Sequence, residues 1–195
     1  MTHKGFLLVT MQPPPAFEEE FNAWYDNEHI PERLGVPGIL TARRYVSAGG
    51  HPKYLAMYDL ESHAVMSSPG YLRVGYENAS PWTKRVTSRV RPWRSTGDQI
   101  WPGDRLTQGG AAVLLIRFRG LERDLGPAIV EAGRRVLEGR PETLQARVLA
   151  HDAGKAGSNF MIFAEQRWPT ATGLDMAPFG RHADRIDLFQ SFVPY

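Results

Sequence analysis

The 195-residue chain contains no cysteine. That excludes disulfides, thiolate metal sites and cysteine nucleophiles, and it leaves the redox compartment open. Long apolar runs are missing too: FLLV at 6–9 and AAVLLI at 111–116 fall far short of the ~20 residues that cross a bilayer. No leader pattern opens the chain, so a cytoplasmic location without membrane contact is expected. Neither sign of charge dominates, with 23 Lys/Arg against 21 Asp/Glu and a net charge of +2. One local exception, TKRVTSRVRPWR at 83–94, holds five basic residues with no acid between Glu77 and Asp98. It reads as a solvated basic face. Trp82 and Trp93 flank or interleave it, but the paired-strand aromatic pattern of ferredoxin-like RNA binders is absent, so no nucleic-acid partner is expected.

The six histidines show no HxH, HxxxH or HExxH spacing, and no metal is expected. No GxSxG elbow occurs, and the GG before residue 111 precedes a strand rather than the helix start that a nucleotide fingerprint needs. What is present is 42% hydrophobic and 11% aromatic residues, enough for a substantial core.

The pattern of that apolar content divides the chain at about residue 104. In 1–104, KGFLLVTMQ reads as a strand, and 15–30 as a helix opened by Pro15 and by Glu18, Glu19 and Glu20. ILTARRYVSAG and KYLAMYDLES then form a hairpin turning at Gly49, Gly50 and Pro52. A short helical stretch follows at 63–78, then a helix capped by Ser80 and opened by Pro81, then a strand at 91–101. The order is βαββαβ, that of a ferredoxin-like unit. Residues 105–195 repeat it, with the fourth element, TATGLDMAPFG, reduced to a turn of helix. At an offset of 104, Ala42 and Arg43 match Ala146 and Arg147; at 106, Tyr54 and Asp59 match Phe160 and Glu165. An Arg on the second strand and an acid on the third thus recur, as a duplication would leave them. The fold class is α+β, two tandem ferredoxin-like units. Each has an uncovered sheet face, so the two sheets must stack or join edge to edge. Strand residues are apolar on both faces, which fits two buried faces. Arg43, Asp59, Arg117, Arg147 and Glu165 interrupt this; they lie at strand ends or line a polar cavity.

FEEEFNAWYDNEHIPERLGVPGILTARRY at 17–45 and SPWTKRV at 80–86, set in this element order, resemble the EthD-like group of the dimeric α+β barrel superfamily. The resemblance implies a barrel-type arrangement formed within one chain, with a pocket inside it or between sheet and helices. It leaves room for pairing with a second chain as a homodimer. It also implies a family range from cofactor-free monooxygenases, isomerases and cyclases to haem enzymes and members of no known activity, so fold alone does not give a reaction.

On a helix Phe17, Phe21, Trp24 and Glu28 share a stripe, with Tyr25 and His29 beside it. Glu28 is either a structural partner of an Arg or a carboxyl tuned for proton transfer. His29 is either a cationic cap at the helix C-terminus or a general base or acid. The functional expectation is that His29 and Glu28 are catalytic and that Tyr25, Trp24, Arg43 and Tyr58 bind a hydrophobic or aromatic small molecule, without a cofactor. The alternatives are a non-catalytic ligand-binding or oligomeric module and a haem-associated enzyme. Asp26, Glu32 and Arg33 read as solvated. At the offset of 106, Glu28 and His29 fall on Arg134 and Arg135, which places a single pocket in the first half.

Overall fold

GFLLVTM, strand β1 (Gly5–Met11), is buried at every position, which requires cover on both faces of its sheet. In the computed structural model, which describes residues 3–47, 49–169 and 173–195, that cover comes from barrel closure on one side and helices on the other. Strands β2 (Ile39–Val46), β3 (Tyr54–Leu60), β4 (Trp93–Trp101), β5 (Ala112–Leu121), β6 (Thr143–Asp152), β7 (Ser158–Gln166) and β8 (Ile186–Pro194) join β1 in a closed antiparallel barrel. Its order is β1-β3-β2-β8-β5-β7-β6-β4. The strands of the first half therefore run β4-β1-β3-β2 and those of the second β8-β5-β7-β6. The seams are short: β2 meets β8 at Tyr45 with Pro194 and Val46 with Val193, and β4 meets β6 at three residue pairs.

Alternation then sorts the side chains. Phe6, Leu8, Tyr45, Leu55, Met57, Val113, Leu115, Leu149, Met161 and Phe163 fill the barrel. The intervening residues of the first half, among them Leu7, Val9, Met11, Tyr54, Ala56 and Tyr58, face outward into a second core. That core is closed by α1 (Glu18–Trp24), α2 (Ile30–Leu34), α3 (Pro69–Arg73) and α4 (Pro81–Arg89). In the second half α5 (Gly126–Leu137) and a 3-10 helix, Ala177–Arg185, with Phe179 buried, do the same. The helical stretch expected at 63–78 is broken into α3 and flanking 3-10 turns, as Pro69, Gly70 and Gly75 dictate. Of the reduced fourth element, Thr170, Ala171 and Thr172 lie outside the described residues. Among the described residues no helix is long and apolar enough to cross a membrane.

The charged residues that interrupt the strands have distinct fates. Asp59 and Arg147, each 1% exposed, pair across the two halves at 2.6 Å inside one end of the barrel. Asp59 also accepts the Thr41 hydroxyl at 2.5 Å and the Thr107 backbone N–H at 2.7 Å, and Arg147 donates to the Thr107 hydroxyl at 2.8 Å. Glu165 accepts the backbone N–H groups of Gln108, Gly109 and Gly110 and the Gln145 side-chain amide. The two acids that recur at an offset of 106 thus grip the segment joining β4 to β5, one from each half. Arg117 makes a two-point bond to Asp187 at 2.8 and 3.1 Å and lies 3.2 Å above the Trp93 ring. Arg43 is exposed.

Removing one partner from a buried pair strands the other charge. Asp59→Ala is expected to cost about 3–5 kcal/mol, read as a lowered urea midpoint at unchanged slope, whereas Arg43→Ala is expected to stay within about 0.5 kcal/mol of the parent.

Candidate functional site

The residues at 15–34 form one continuous helix of changing pitch, beginning as a 3-10 turn (Pro15–Phe17) and passing through α1 and a π-helical turn, Tyr25–His29, into α2. Pro31 explains the widened turn. It has no N–H for the Asn27 carbonyl, and its ring would clash there in a regular helix. The chain instead shifts to an i→i−5 bond, Ile30 N–H to the Tyr25 carbonyl, while the Asn27 side chain donates to the Ala23 carbonyl at 2.8 Å. Pro31 is therefore absorbed, and the helix runs on to Leu34 rather than ending near residue 30.

The π turn determines which residues face the sheet. In an α-helix each four-residue step overshoots a full turn by about 40°, so Phe21, Tyr25, His29 and Arg33 would spiral around the cylinder. The wider turn takes that drift back, and all four line one cavity. Trp24, Tyr58 of β3, Tyr71 of α3 and Arg94 of β4 complete its polar and aromatic lining; Leu7, Val9 and Val86 supply apolar wall. The cavity is narrow, about 20 Å³, room for roughly one water.

His29 is 8% exposed. Its ring stacks on Trp24 at 4.3 Å between centroids and meets Tyr25 edge-on at 5.0 Å. Burial, then the positive charges of Arg33, Arg94 and Arg44, hold it well below its ordinary value of 6.5. It is therefore a neutral imidazole at physiological pH and not a cationic helix cap. Its Nδ1 makes no hydrogen bond. One other buried polar atom on the same lining is also without a hydrogen bond, Nη1 of Arg33, whereas the Tyr58 hydroxyl has that of Tyr25 as its hydrogen-bonding neighbour. Burial raises the phenol of Tyr58 well above its ordinary value and pushes Tyr25 up to about 12. The Tyr25 hydroxyl donates to Met11 Sδ at 3.3 Å.

Of the residues expected at the site, His29, Tyr25, Trp24 and Tyr58 are brought together; Glu28 and Arg43 are not. Glu28 turns to α4 and accepts the Ser80 hydroxyl at 2.5 Å and the Thr83 hydroxyl at 2.7 Å, while Thr83 accepts the Trp24 indole N–H at 2.9 Å. Burial alone would raise its carboxyl, but these bonds outweigh it and hold the group below its ordinary value. It clamps α1 to α4. Arg43 sits one residue out of phase: it shares a parity with Tyr45 and opens onto a separate cleft of about 470 Å³ with Gln108 and Gly109. Its neighbour Arg44 faces the helices, 4.5 Å over the Tyr25 ring and bonded to Asp26 at 2.5 Å. Arg33, Tyr71 and Arg94 are cavity residues that the sequence reading passed over; the four-residue spacing from His29 to Arg33 was the available signal. Among the described residues no cluster of three or more metal-ligating side chains occurs.

No family model and no curated protein matches the chain. Solved structures do match over its whole length. An anthrone oxidase-like protein superposes with a TM-score of 0.70 at 11% identity, covering 100% of this chain and 92% of that one. A proposed monooxygenase from Fusobacterium nucleatum subsp. nucleatum gives 0.56 at 10% identity, with coverage of 99% and 92%. A chlorite dismutase from Candidatus Nitrospira defluvii gives 0.57 at 10% identity, with coverage of 98% and 91%. The chain shares the dimeric α+β barrel fold with these proteins.

The buried histidine predicts an acid-side signature. Below about pH 6.5 the unfolded chain protonates His29 and the folded chain does not, so the unfolded state binds more protons and stability falls as pH drops. Stability is therefore complete above that pH. The lowered Glu28 carboxyl contributes only further down, below its ordinary 4.5. Urea titrations between pH 7 and 5 are expected to show a decline that His29→Gln flattens and Glu28→Gln leaves in place.

Proposed function

We propose that the chain binds a hydrophobic or aromatic small molecule carrying an activated C–H or O–H group, and that His29 removes a proton from it without a cofactor. The observation that carries this reading is the convergence on one cavity lining of two buried polar atoms with no hydrogen bond, His29 Nδ1 and Arg33 Nη1. Leaving such groups unpaired costs about 1–3 kcal/mol each, and a ligand oxygen offers what they lack. A neutral imidazole supplies the lone pair, and the Arg33 guanidinium is the donor for the oxyanion that proton removal creates. Trp24 and Tyr25 form an aromatic wall.

Isomerisation and cyclisation need only that proton transfer. Oxygenation, the reading favoured by structural neighbours named as an anthrone oxidase-like protein and a monooxygenase, adds dioxygen: a methylene next to a conjugated ring loses two hydrogens, one oxygen atom becomes its carbonyl, and the other leaves as water. No external reductant is required. Ligands of this size fill roughly 300–1,000 Å³, so entry requires the cavity wall to part. α3 carries Tyr71 to the lining and buries none of its residues, which makes it the cheapest part of that wall to displace.

A haem, the group suggested by the chlorite dismutase likeness, would find no imidazole in the cavity of about 470 Å³ beside α5, which is lined by Ile100, Val130, Glu131, Ala150 and Phe160 among others. We also read the matching orders of β4-β1-β3-β2 and β8-β5-β7-β6 as a duplicated ferredoxin-like unit of which the first half keeps the site, and the chain as related to EthD-like proteins.

The test uses anthrone as probe, following dioxygen uptake and exchange of its methylene protons into deuterated water. The parent protein is expected to accelerate exchange, with a rate level from neutral pH upward and falling only in acid. His29→Gln is expected to lower it about 10²–10⁴-fold, while Glu28→Gln leaves it within a few-fold. A wholly inert parent, or unchanged rates in His29→Gln, would overturn the reading.

A further inference from the structure

The charges around this cavity do not balance. Its lining includes two guanidinium groups, Arg33 and Arg94, and no Asp or Glu. Arg33 is 6% exposed. Its nearest carboxylate is Glu32 at 3.8 Å, beyond hydrogen-bonding distance, and burial raises that carboxyl, weakening it as a counterion. The Tyr71 ring lies 5.2 Å from the guanidinium, a contact that leaves Nη1 without an acceptor. Arg94 makes no ion pair among the described residues. Arg44, the third cation acting on His29, differs in having its acid, Asp26, at 2.5 Å. Arg94 is exposed to solvent, so the buried Arg33 is the charge left without a partner.

Resting on the functional reading above, we infer that the ligand of this cavity is an organic acid, an aromatic or otherwise hydrophobic compound bearing a carboxylate that the Arg33 guanidinium binds, sharing its several N–H donors between that group and the developing oxyanion, with the exposed Arg94 drawing it in. Arg33 is then the residue that sets specificity, and the carboxylate fixes the ring against Trp24 and Tyr25 while the proton acceptor stays free. Buried guanidinium–carboxylate bonds are short and directional, whereas the contribution of the exposed Arg94 is long-ranged and screened by salt. Neutralising Arg33 also removes the strongest of the charges that disfavour protonated His29, so anion binding moves that imidazole back toward its ordinary titration range.

The experiment compares 1-naphthoate with the neutral, near-isosteric 1-naphthamide, titrated against the intact protein by calorimetry. Naphthoate is expected to bind at least about tenfold more tightly at low ionic strength, the scale of one charge-assisted hydrogen bond. Arg33→Met is expected to reduce the preference to within about twofold, Arg33→Lys to retain part of it, and His29→Gln to retain it in full. Should Arg33→Met fail to fold, the parent protein still decides: added salt must weaken naphthoate and not naphthamide, and naphthoate must raise the pH at which the His29 ring titrates by NMR. Equal binding of the two probes, binding of neither, or a preference that survives in a folded Arg33→Met protein would overturn the inference. The outcomes separate the two claims. Equal probe binding alongside His29-dependent exchange of anthrone would sink only the acid, and carboxylate preference without any such exchange would sink only the proton transfer.

Discussion

The Asp59–Arg147 ion pair determines what the rest of this molecule can do. It joins β3 of one half to β6 of the other inside the barrel, and through Thr107 it ties both to the segment connecting the halves. Two seams of two and three residue pairs would be weak closures if backbone bonding alone held them. With Glu165 gripping the adjacent amides, each half uses an acid on its third strand to hold the same stretch of backbone. The barrel closes around a polar cluster in which Asp59 and Glu165 accept several hydrogen bonds each, while Nε of Arg147 and Oε1 of Gln145 are left without one.

Phe6, Leu8, Met57, Leu115, Met161 and Phe163 leave the barrel axis filled. The His29 cavity lies instead in the layer between sheet and helices. There the two halves differ: the first is covered by two substantial helical segments bridged by Glu28, Ser80 and Thr83, the second by α5 and a 3-10 turn. Glu28 thereby serves the site without entering it, since its bonds fix the position of the helix that delivers Trp24 and His29.

Much of this was legible in the sequence. The order of elements, the hairpins and Ser80 as a cap with Pro81 after it follow from local rules that tertiary contacts did not override. The aromatic and histidine part of the site was legible as a stripe. What escaped were consequences of pitch and parity. Arg33 reads as solvated in the sequence but is buried, because a change of helical pitch carries the helix past Pro31. Arg43 and Arg44 are adjacent, and a strand sends adjacent residues to opposite faces; composition cannot say which of the two meets the helices. Arg94 belongs to a basic stretch whose other members turn to other partners, Arg85 to Glu20 and Arg89 to the Phe17 ring.

The π turn at Tyr25–His29 gives the site a property its residues alone do not have. A helix that hosts one residue beyond the α repeat has two registers available to its downstream half, separated by about 100° of rotation. In the wider register His29 and Arg33 sit over the sheet; in the regular one they would swing toward the flank while Phe21 and Trp24 stayed seated. Chain length at a single point in this helix is thus a setting for the site's composition, independent of the barrel beneath it. The fold can be kept whole while the pocket gains or loses its histidine and its arginine together.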